Sequence, residues 1–150
     1  EYETTTKEKE QVNLANLLAL PGSHLNKTYK FKLLGEEALK RGSYFMALRY
    51  FYNIHDLAEI GRAYLALASH LFNIGDTEGS SLAAGYGLYA LQEELAKNPN
   101  SARANLYLAL YYYERRNNKE AYKRTEMGLQ CQDNPRVKKQ LRALYNKLKS

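Results

Sequence analysis

Apolar residues recur along most of this chain at spacings of three and four positions, which is the period of an amphipathic α-helix. Short polar turns rich in Gly, Asn and Asp separate the apolar stretches. No segment alternates apolar and polar residues over a length typical of a β-strand. The pattern therefore predicts an all-α fold.

Three stretches share one further pattern. Each has a large-small pair, an apolar residue three positions later, a turn, and a small residue twelve positions after the small member of the pair. The first contains Leu34, Gly35, Ala38, Gly42, Ser43, Ala47 and Phe51; the second Leu67, Ala68, Leu71, Gly75, Asp76, Ser80 and Ala84; the third Leu108, Ala109, Tyr112, Asn117, Ala121 and Thr125. Small residues on both sides of a turn let two helices approach closely, so each stretch predicts a helix hairpin. Because one hairpin cannot bury its apolar stripe alone, the hairpins are expected to stack.

The spacing resembles that of the tetratricopeptide (TPR) repeat family over about residues 28–134. The resemblance is carried best by LLGEEALKRGSYFMALRYF and by YLALYYYERRNNKEAYKR. The second stretch departs from the family at Ser80 and Ala84, where alanine and an aromatic residue are usual. The resemblance implies a TPR-like helical-hairpin solenoid that serves as a non-catalytic scaffold for protein–protein interaction.

Capping signals predict where the helices begin. Thr5 with Glu8 has the form of a capping box before an apolar stretch that ends at Pro21, and Asp56 with Glu59 has the related form. Asn98 and Asn134 each precede a proline that suits a first helical turn.

Eight helices follow from these signals. The second helix of the second hairpin is expected to extend over about 77–97, and the segment 136–149 to form a terminal helix. The chain divides into an N-terminal polar segment with a short helix (1–27), three hairpins (28–134) and a capping helix (135–150).

The TPR resemblance implies that certain positions on the first helix of each hairpin face a concave groove. Carried over residue by residue, the partner-binding positions are Tyr29, Lys32, Glu36, Arg62, Leu65, Ser69, Phe72, Arg103, Leu106, Leu110 and Tyr113, with Leu39, Lys40, Asn73 and Glu114 beside them. Such an apolar and aromatic groove favours an extended or helical apolar segment of another protein. The alternative for its apolar members is contact with the N-terminal or the terminal helix.

One subset of the family binds the C-terminal carboxylate of chaperones through lysine, asparagine and arginine. Lys32 and Arg103 match two of those positions, but Glu36, Ala66 and Tyr107 occupy the others. A carboxylate clamp is therefore not expected here.

Candidate chemistry is sparse. The three histidines, His24, His55 and His70, stand in separate contexts, and no metalloprotease, phosphate-loop or nucleophile-elbow motif is present. The lone cysteine, Cys131, excludes an intramolecular disulfide and a cysteine metal site. The sequence predicts no catalytic residues, no metal and no cofactor.

Composition adds two features. The 150 residues suit one domain and include 14 tyrosines but no tryptophan. Gly85 and Gly87 fall in a predicted helix, where close helix packing explains them better than a nucleotide loop does. No apolar run is long enough to span a bilayer.

Charge is distributed unevenly, which leaves a second function open. Residues 1–114 carry a net charge of −2, whereas residues 115–150 carry +8. The basic region could bind RNA or an acidic membrane surface, although a solvated helix face is the simpler interpretation. Its candidate anion-binding residues are Arg115, Arg116, Lys119, Lys123, Arg124, Lys138, Lys139 and Arg142, together with Arg136, Lys147 and Lys149.

A third alternative is an envelope-anchored TPR assembly factor, because the chain begins at Glu1 rather than methionine. On that alternative the polar segment 1–10 is the remnant of a tether, and the chain is a processed or trimmed product. Cellular location, partner identity and self-association stay open, since the exposed ends of stacked hairpins can also pair between copies.

Overall fold

The computed structural model describes residues 27–131 and 134–150. Those residues form seven α-helices and no strand, which confirms the all-α prediction. The helices are α1 (Lys27–Lys40), α2 (Tyr44–Asn53), α3 (Leu57–Asn73), α4 (Thr77–Lys97), α5 (Ala102–Glu114), α6 (Asn118–Leu129) and α7 (Pro135–Lys149). Eight helices were expected, and the predicted N-terminal helix lies outside the described residues.

The helices belong to two compact units. One ends at Asp56 and contains α1 and α2, and the other spans Leu57–Ser150 and contains α3 to α7. This boundary falls between the first and second predicted hairpins, whereas the sequence analysis grouped all three hairpins in one segment.

Tight turns of one kind end α1, α3 and α5. After α1, Gly42 takes a positive φ of 74°, its N–H donates to the carbonyl of Leu39, and the N–H of Ser43 donates to Ala38. Gly75 takes the same place after α3, with φ 91°. These paired bonds satisfy the last carbonyls of a helix. The predicted Gly-Ser and Gly-Asp turns are therefore confirmed.

In the first unit, a glycine lets the two helices of the hairpin touch. A β-carbon on Gly35 would run into the ring of Phe51, so only glycine leaves room for that ring against α1. Phe51, Ala38 and Ala47 are fully buried there. The first repeated stretch thus forms the hairpin that its spacing predicted.

The second unit contains two hairpins and the terminal helix. Helices α3 and α4 pair through Gly61 and Gly87, and the Ser80 hydroxyl donates to the carbonyl of Ala68 across 2.7 Å. Ser80 thus occupies this close helix contact without leaving its hydroxyl unsatisfied. Helix α5 packs against α3, α4 and α6, and α7 covers α5 and α6.

The predicted starts of the last helices had mixed outcomes. The Asn134 side chain accepts from the N–H of Val137 at the start of α7, with proline in the first turn, as predicted. The prediction that Asn98 starts a helix is wrong. Asn98 ends α4, and the Ser101 hydroxyl accepts from the N–H of Ala104 to cap α5. Serine is as good a cap as asparagine, so the local signal was ambiguous.

Candidate functional site

A buried carboxylate joins the first helices of the second and third hairpins. Glu59, in the first turn of α3, has no exposed surface. The Tyr107 hydroxyl on α5 lies 2.8 Å from Glu59 Oε2 and 3.1 Å from Oε1. An uncompensated charge in this position would be strongly destabilising. The hydroxyl is therefore one of the groups that make the burial tolerable.

Two arginines complete the environment of that carboxylate. Arg62 Nη1, one turn along α3, lies 2.9 Å from Glu59 Oε1, and Arg103 Nη1 on α5 lies 3.4 Å from Oε2. The Arg62 guanidinium also stands over the Tyr107 ring, 5.5 Å from its centroid. These contacts bring together two residues that the sequence analysis placed in the groove.

Burial raises the pKa of Tyr107 well above its usual range, and the negative charge of Glu59 raises it further. Both causes disfavour a second negative charge beside the carboxylate. Tyr107 therefore remains a hydrogen-bond donor to Glu59 at neutral pH.

A second polar contact joins the other ends of the same two helices. The hydroxyl of Ser69, near the end of α3, donates to Oε2 of Glu114, the last residue of α5, across 2.9 Å. Glu59 and Arg103 lie near the helix starts, and Ser69 and Glu114 near the helix ends. Helices α3 and α5 therefore lie side by side and parallel.

Exposed apolar side chains occupy the C-terminal half of these helices. Phe72 on α3 is 54% exposed, and Leu110 and Tyr113 on α5 are 40% and 37% exposed. The Arg115 guanidinium stands over the Phe72 ring at 5.3 Å and over the Tyr111 ring at 5.1 Å. We use the term α3–α5 surface for Arg62, Ser69, Phe72, Arg103, Tyr107, Leu110, Tyr113 and Glu114.

Two predicted groove residues are core residues instead. Leu65 lies against Gly87 of α4 and is 7% exposed. Leu106 is 2% exposed and belongs to a cluster with Val137 and Leu141 of α7. The terminal helix therefore covers Leu106. Contact with that helix was the alternative given above for the apolar groove positions. Neither side chain has surface to offer a partner, and their assignment to the groove is corrected.

Three further predicted groove residues lie in the first unit. Tyr29, Lys32 and Glu36 are on α1, where Tyr29 is exposed and the other two are half-buried. The α3–α5 surface is defined within the second unit and does not include them.

The basic region spans the end of α5, α6 and α7. Arg115 and Arg116 follow α5, and within α6 Arg124 Nε lies 3.7 Å from Glu120 Oε1. The remaining cations of α6 are Lys119 and Lys123, and those of α7 are Arg136, Lys138, Lys139, Arg142, Lys147 and Lys149.

Sequence reasoning missed the Glu59–Tyr107 contact. Glu59 was interpreted only as the partner of Asp56 in a capping box, and Tyr107 only as a mismatch to a carboxylate clamp. The position of Glu59 could have indicated the contact, because it stands between Ala58 and Ile60 in a helix that is otherwise apolar on its buried side. A carboxylate in that position needs a donor from a neighbouring helix.

Within the described residues, no group of three or more His, Cys, Asp and Glu side chains could hold a metal ion. None of the described helices combines the length and apolar content needed to cross a bilayer. His55 and His70 are both exposed, and His24 lies outside the described residues.

Comparisons with protein-family models, curated proteins and solved structures found no match to this chain.

Proposed function

We propose that this chain is a non-catalytic interaction scaffold that binds a peptide or helix of another protein along the α3–α5 surface. The observation that carries the proposal is the parallel, side-by-side placement of α3 and α5, with Phe72, Leu110 and Tyr113 exposed along them. Aromatic side chains are frequent anchors of protein recognition, and apolar side chains line the grooves that bind amphipathic helices.

The resemblance to the tetratricopeptide family supports the same proposal. In that family consecutive hairpins form a solenoid, and their first helices line the binding groove. Parallel first helices in neighbouring hairpins are what such a stack requires. The proposed architecture is thus a TPR-like solenoid, to which the α3–α5 surface contributes part of the groove.

Two features indicate the chemistry of the partner. The N-terminal half of the surface is polar, with Arg62, Arg103 and Tyr107 engaged by the internal carboxylate of Glu59. Arg103 therefore already has an anionic neighbour, which argues against a clamp for a partner carboxylate. The C-terminal half is apolar and suits a segment with large apolar side chains, whose binding should depend weakly on salt.

A random-peptide display library, selected against the intact protein, supplies probes for this surface. Synthetic peptides from the enriched sequences are then labelled, and their affinities are measured by fluorescence anisotropy. The double variant Leu110→Ser/Tyr113→Ser removes two of the exposed anchors. We expect it to bind the peptides about 30-fold more weakly, since each buried anchor typically contributes more than about 1 kcal/mol.

The matched control is Leu82→Ser/Tyr89→Ser on α4, whose side chains are 63% and 64% exposed. It should leave the peptide affinities unchanged. The proposal fails if the library yields no enriched sequences, or if the control variant loses as much affinity as the test variant.

A further inference from the structure

Helix α7 is distinctive in its charge. It carries six Lys and Arg residues and no acidic residue. Every other described helix with more than one Lys, Arg, Asp or Glu contains both signs. Within the described residues, no ion pair joins an α7 cation to a carboxylate. Like charges three and four positions apart on one helix repel each other, so a bound anion would stabilise this arrangement.

The apolar residues of α7 are buried against the rest of the protein. Val137, Leu141 and Leu144 are buried beneath the helix, where α7 packs on α5 and α6. A helix that binds a bilayer by insertion must offer an apolar face to the lipid. Because α7 has buried its apolar face in the protein, its outer surface offers mainly charge, which suits a polyanion better than a bilayer.

One stripe of α7 interleaves cations with an aromatic ring. Lys138, Arg142, Tyr145 and Lys149 are spaced four, three and four positions apart, so they lie along one side of the helix. The stripe extends over about 16 Å of helix axis. The ammonium group of Lys149 stands over the Tyr145 ring, 5.0 Å from its centroid.

A second aromatic ring adjoins the stripe. Tyr122 of α6 stacks on Tyr145, with ring centroids 5.3 Å apart, and its hydroxyl donates to the Tyr145 hydroxyl across 3.2 Å. These are the only two aromatic residues between Arg115 and Ser150. The fold has thus brought both of them together beside the cations, although 23 positions separate them in the sequence.

We propose that this stripe, with Tyr122, is a binding surface for single-stranded nucleic acid. Lys138, Arg142 and Lys149 contact phosphates along one strand, and a base stacks on the face of the Tyr122 ring that does not meet Tyr145. Cationic grooves with aromatic platforms bind single strands in this way, and stacking tolerates any base. The surface lies on α6 and α7, whereas the anchors of the proposed protein-binding function lie on α3 and α5.

The probe is a fluorescein-labelled oligouridylate of 12 nucleotides, titrated with the intact protein and followed by anisotropy at several salt concentrations. Three phosphate contacts predict a slope of about −2 in a plot of log affinity against log salt. The variant Lys138→Glu/Arg142→Glu should bind at least about tenfold more weakly, with a slope closer to −0.7. Lys138→Gln/Arg142→Gln should also lower the affinity and flatten the salt slope. This variant replaces the charge reversal if the two glutamates disturb folding.

Tyr145→Leu tests the stacking contribution. It keeps an apolar side chain against Tyr122 but removes the ring, and should weaken binding about tenfold without changing the salt slope. The charge-matched control is Arg49→Glu/Lys97→Glu, which reverses two exposed cations on α2 and α4. It should retain nearly all of the wild-type affinity.

Three results would overturn the proposal. The first is an equal loss in the Arg49/Lys97 control, which would mean that only net charge matters. The second is wild-type affinity in Tyr145→Leu. The third is tighter binding to vesicles containing phosphatidylserine than to the oligonucleotide at the same salt concentration, which would assign the cations to a lipid surface.

Discussion

Glu59 shows how a single residue can hold two helices in a fixed relation. Its carboxylate is fully buried, and its partners Tyr107 and Arg103 come from a helix that starts 43 positions later in the sequence. Because burying a charge is unfavourable unless it is paired and hydrogen-bonded, the contact tolerates few other arrangements of α3 and α5. Glu59 therefore favours the parallel register on which the α3–α5 surface depends.

Replacing Tyr107 with Phe removes the hydroxyl donor but keeps the ring under Arg62. The Glu59 carboxylate then loses the one hydroxyl that lies within hydrogen-bond distance of both of its oxygens. We expect a loss of about 2 kcal/mol in the free energy of unfolding at pH 7, measured by urea denaturation. A loss below about 0.5 kcal/mol would mean that the hydroxyl contributes little to the contact.

The raised pKa of Tyr107 predicts a loss of stability at alkaline pH. The unfolded tyrosine ionises near pH 10, whereas the folded one stays protonated to higher pH, so its contribution is complete below pH 10 and declines above it. Between pH 9 and 11 the wild type should lose about 1.4 kcal/mol more than Tyr107→Phe. All other residues are the same in both proteins, so parallel curves for the two would contradict the assignment.

Arg116 is a local weak point in the turn after α5. It has a positive φ of 60° in the place that Gly42 and Gly75 occupy after α1 and α3. Since this backbone conformation strains any residue with a β-carbon, Arg116→Gly should raise the free energy of unfolding by about 0.5–1 kcal/mol. Gly75→Ala should lower it by a similar amount, and urea denaturation of both variants checks the pair.

At the scale of the helices, Gly85 and Gly87 of α4 have opposite roles. A β-carbon on Gly87 would lie 2.9 Å from Leu65 Cδ2 and 3.0 Å from the carbonyl oxygen of Gly61, but one on Gly85 would meet nothing within 4 Å. The prediction that close helix packing explains this pair is confirmed for Gly87. Gly85 lies on the exposed side of the helix.

The two glycines make a matched test of the α3–α4 contact. Gly87→Ala should destabilise the protein by about 2 kcal/mol, because neither backbone can yield without separating the helices. Gly85→Ala should stabilise it by up to about 1 kcal/mol through helix propensity alone. Equal effects in urea denaturation would show that Gly87 is not a packing contact.

The helices were largely predictable from the sequence because their period and turns are local. The span of α4 over residues 77–97 and the cap at Asn134 match the structure. The start of α5 was misplaced because Asn98 and Ser101 are both good caps only three positions apart. The choice between these two caps depends on tertiary packing, because the helix that starts after Ser101 buries Ala102 fully.

The candidate site was less predictable than the helices. Helical period places Leu65, Leu106 and Leu110 on similar faces, but whether such a residue is covered depends on helices elsewhere in the chain. Leu106 is covered by α7, and Leu65 fills the space left by Gly87. The Tyr122–Tyr145 stack likewise depends on the packing of α6 against α7, which no local pattern specifies.

At the scale of the whole molecule, the described chain forms two units with different contents. The first contains one hairpin, and the second contains two hairpins and the terminal helix. Both surfaces proposed to bind partners lie within the second unit. Both proposed functions therefore depend most on the arrangement of α3, α5 and α7 in that unit.

The most direct test concerns the parallel contact of α3 and α5, on which the proposed protein-binding surface depends. In Ser69→Cys/Glu114→Cys the two thiols replace groups that lie 2.9 Å apart, whereas in Ser69→Cys/Asn100→Cys the second thiol lies just before the opposite end of α5. A short thiol-specific cross-linker should join the first pair within one chain in high yield and the second pair hardly at all, as measured by mass spectrometry of proteolytic fragments. Efficient cross-linking of the second pair, or none of the first, would contradict the account.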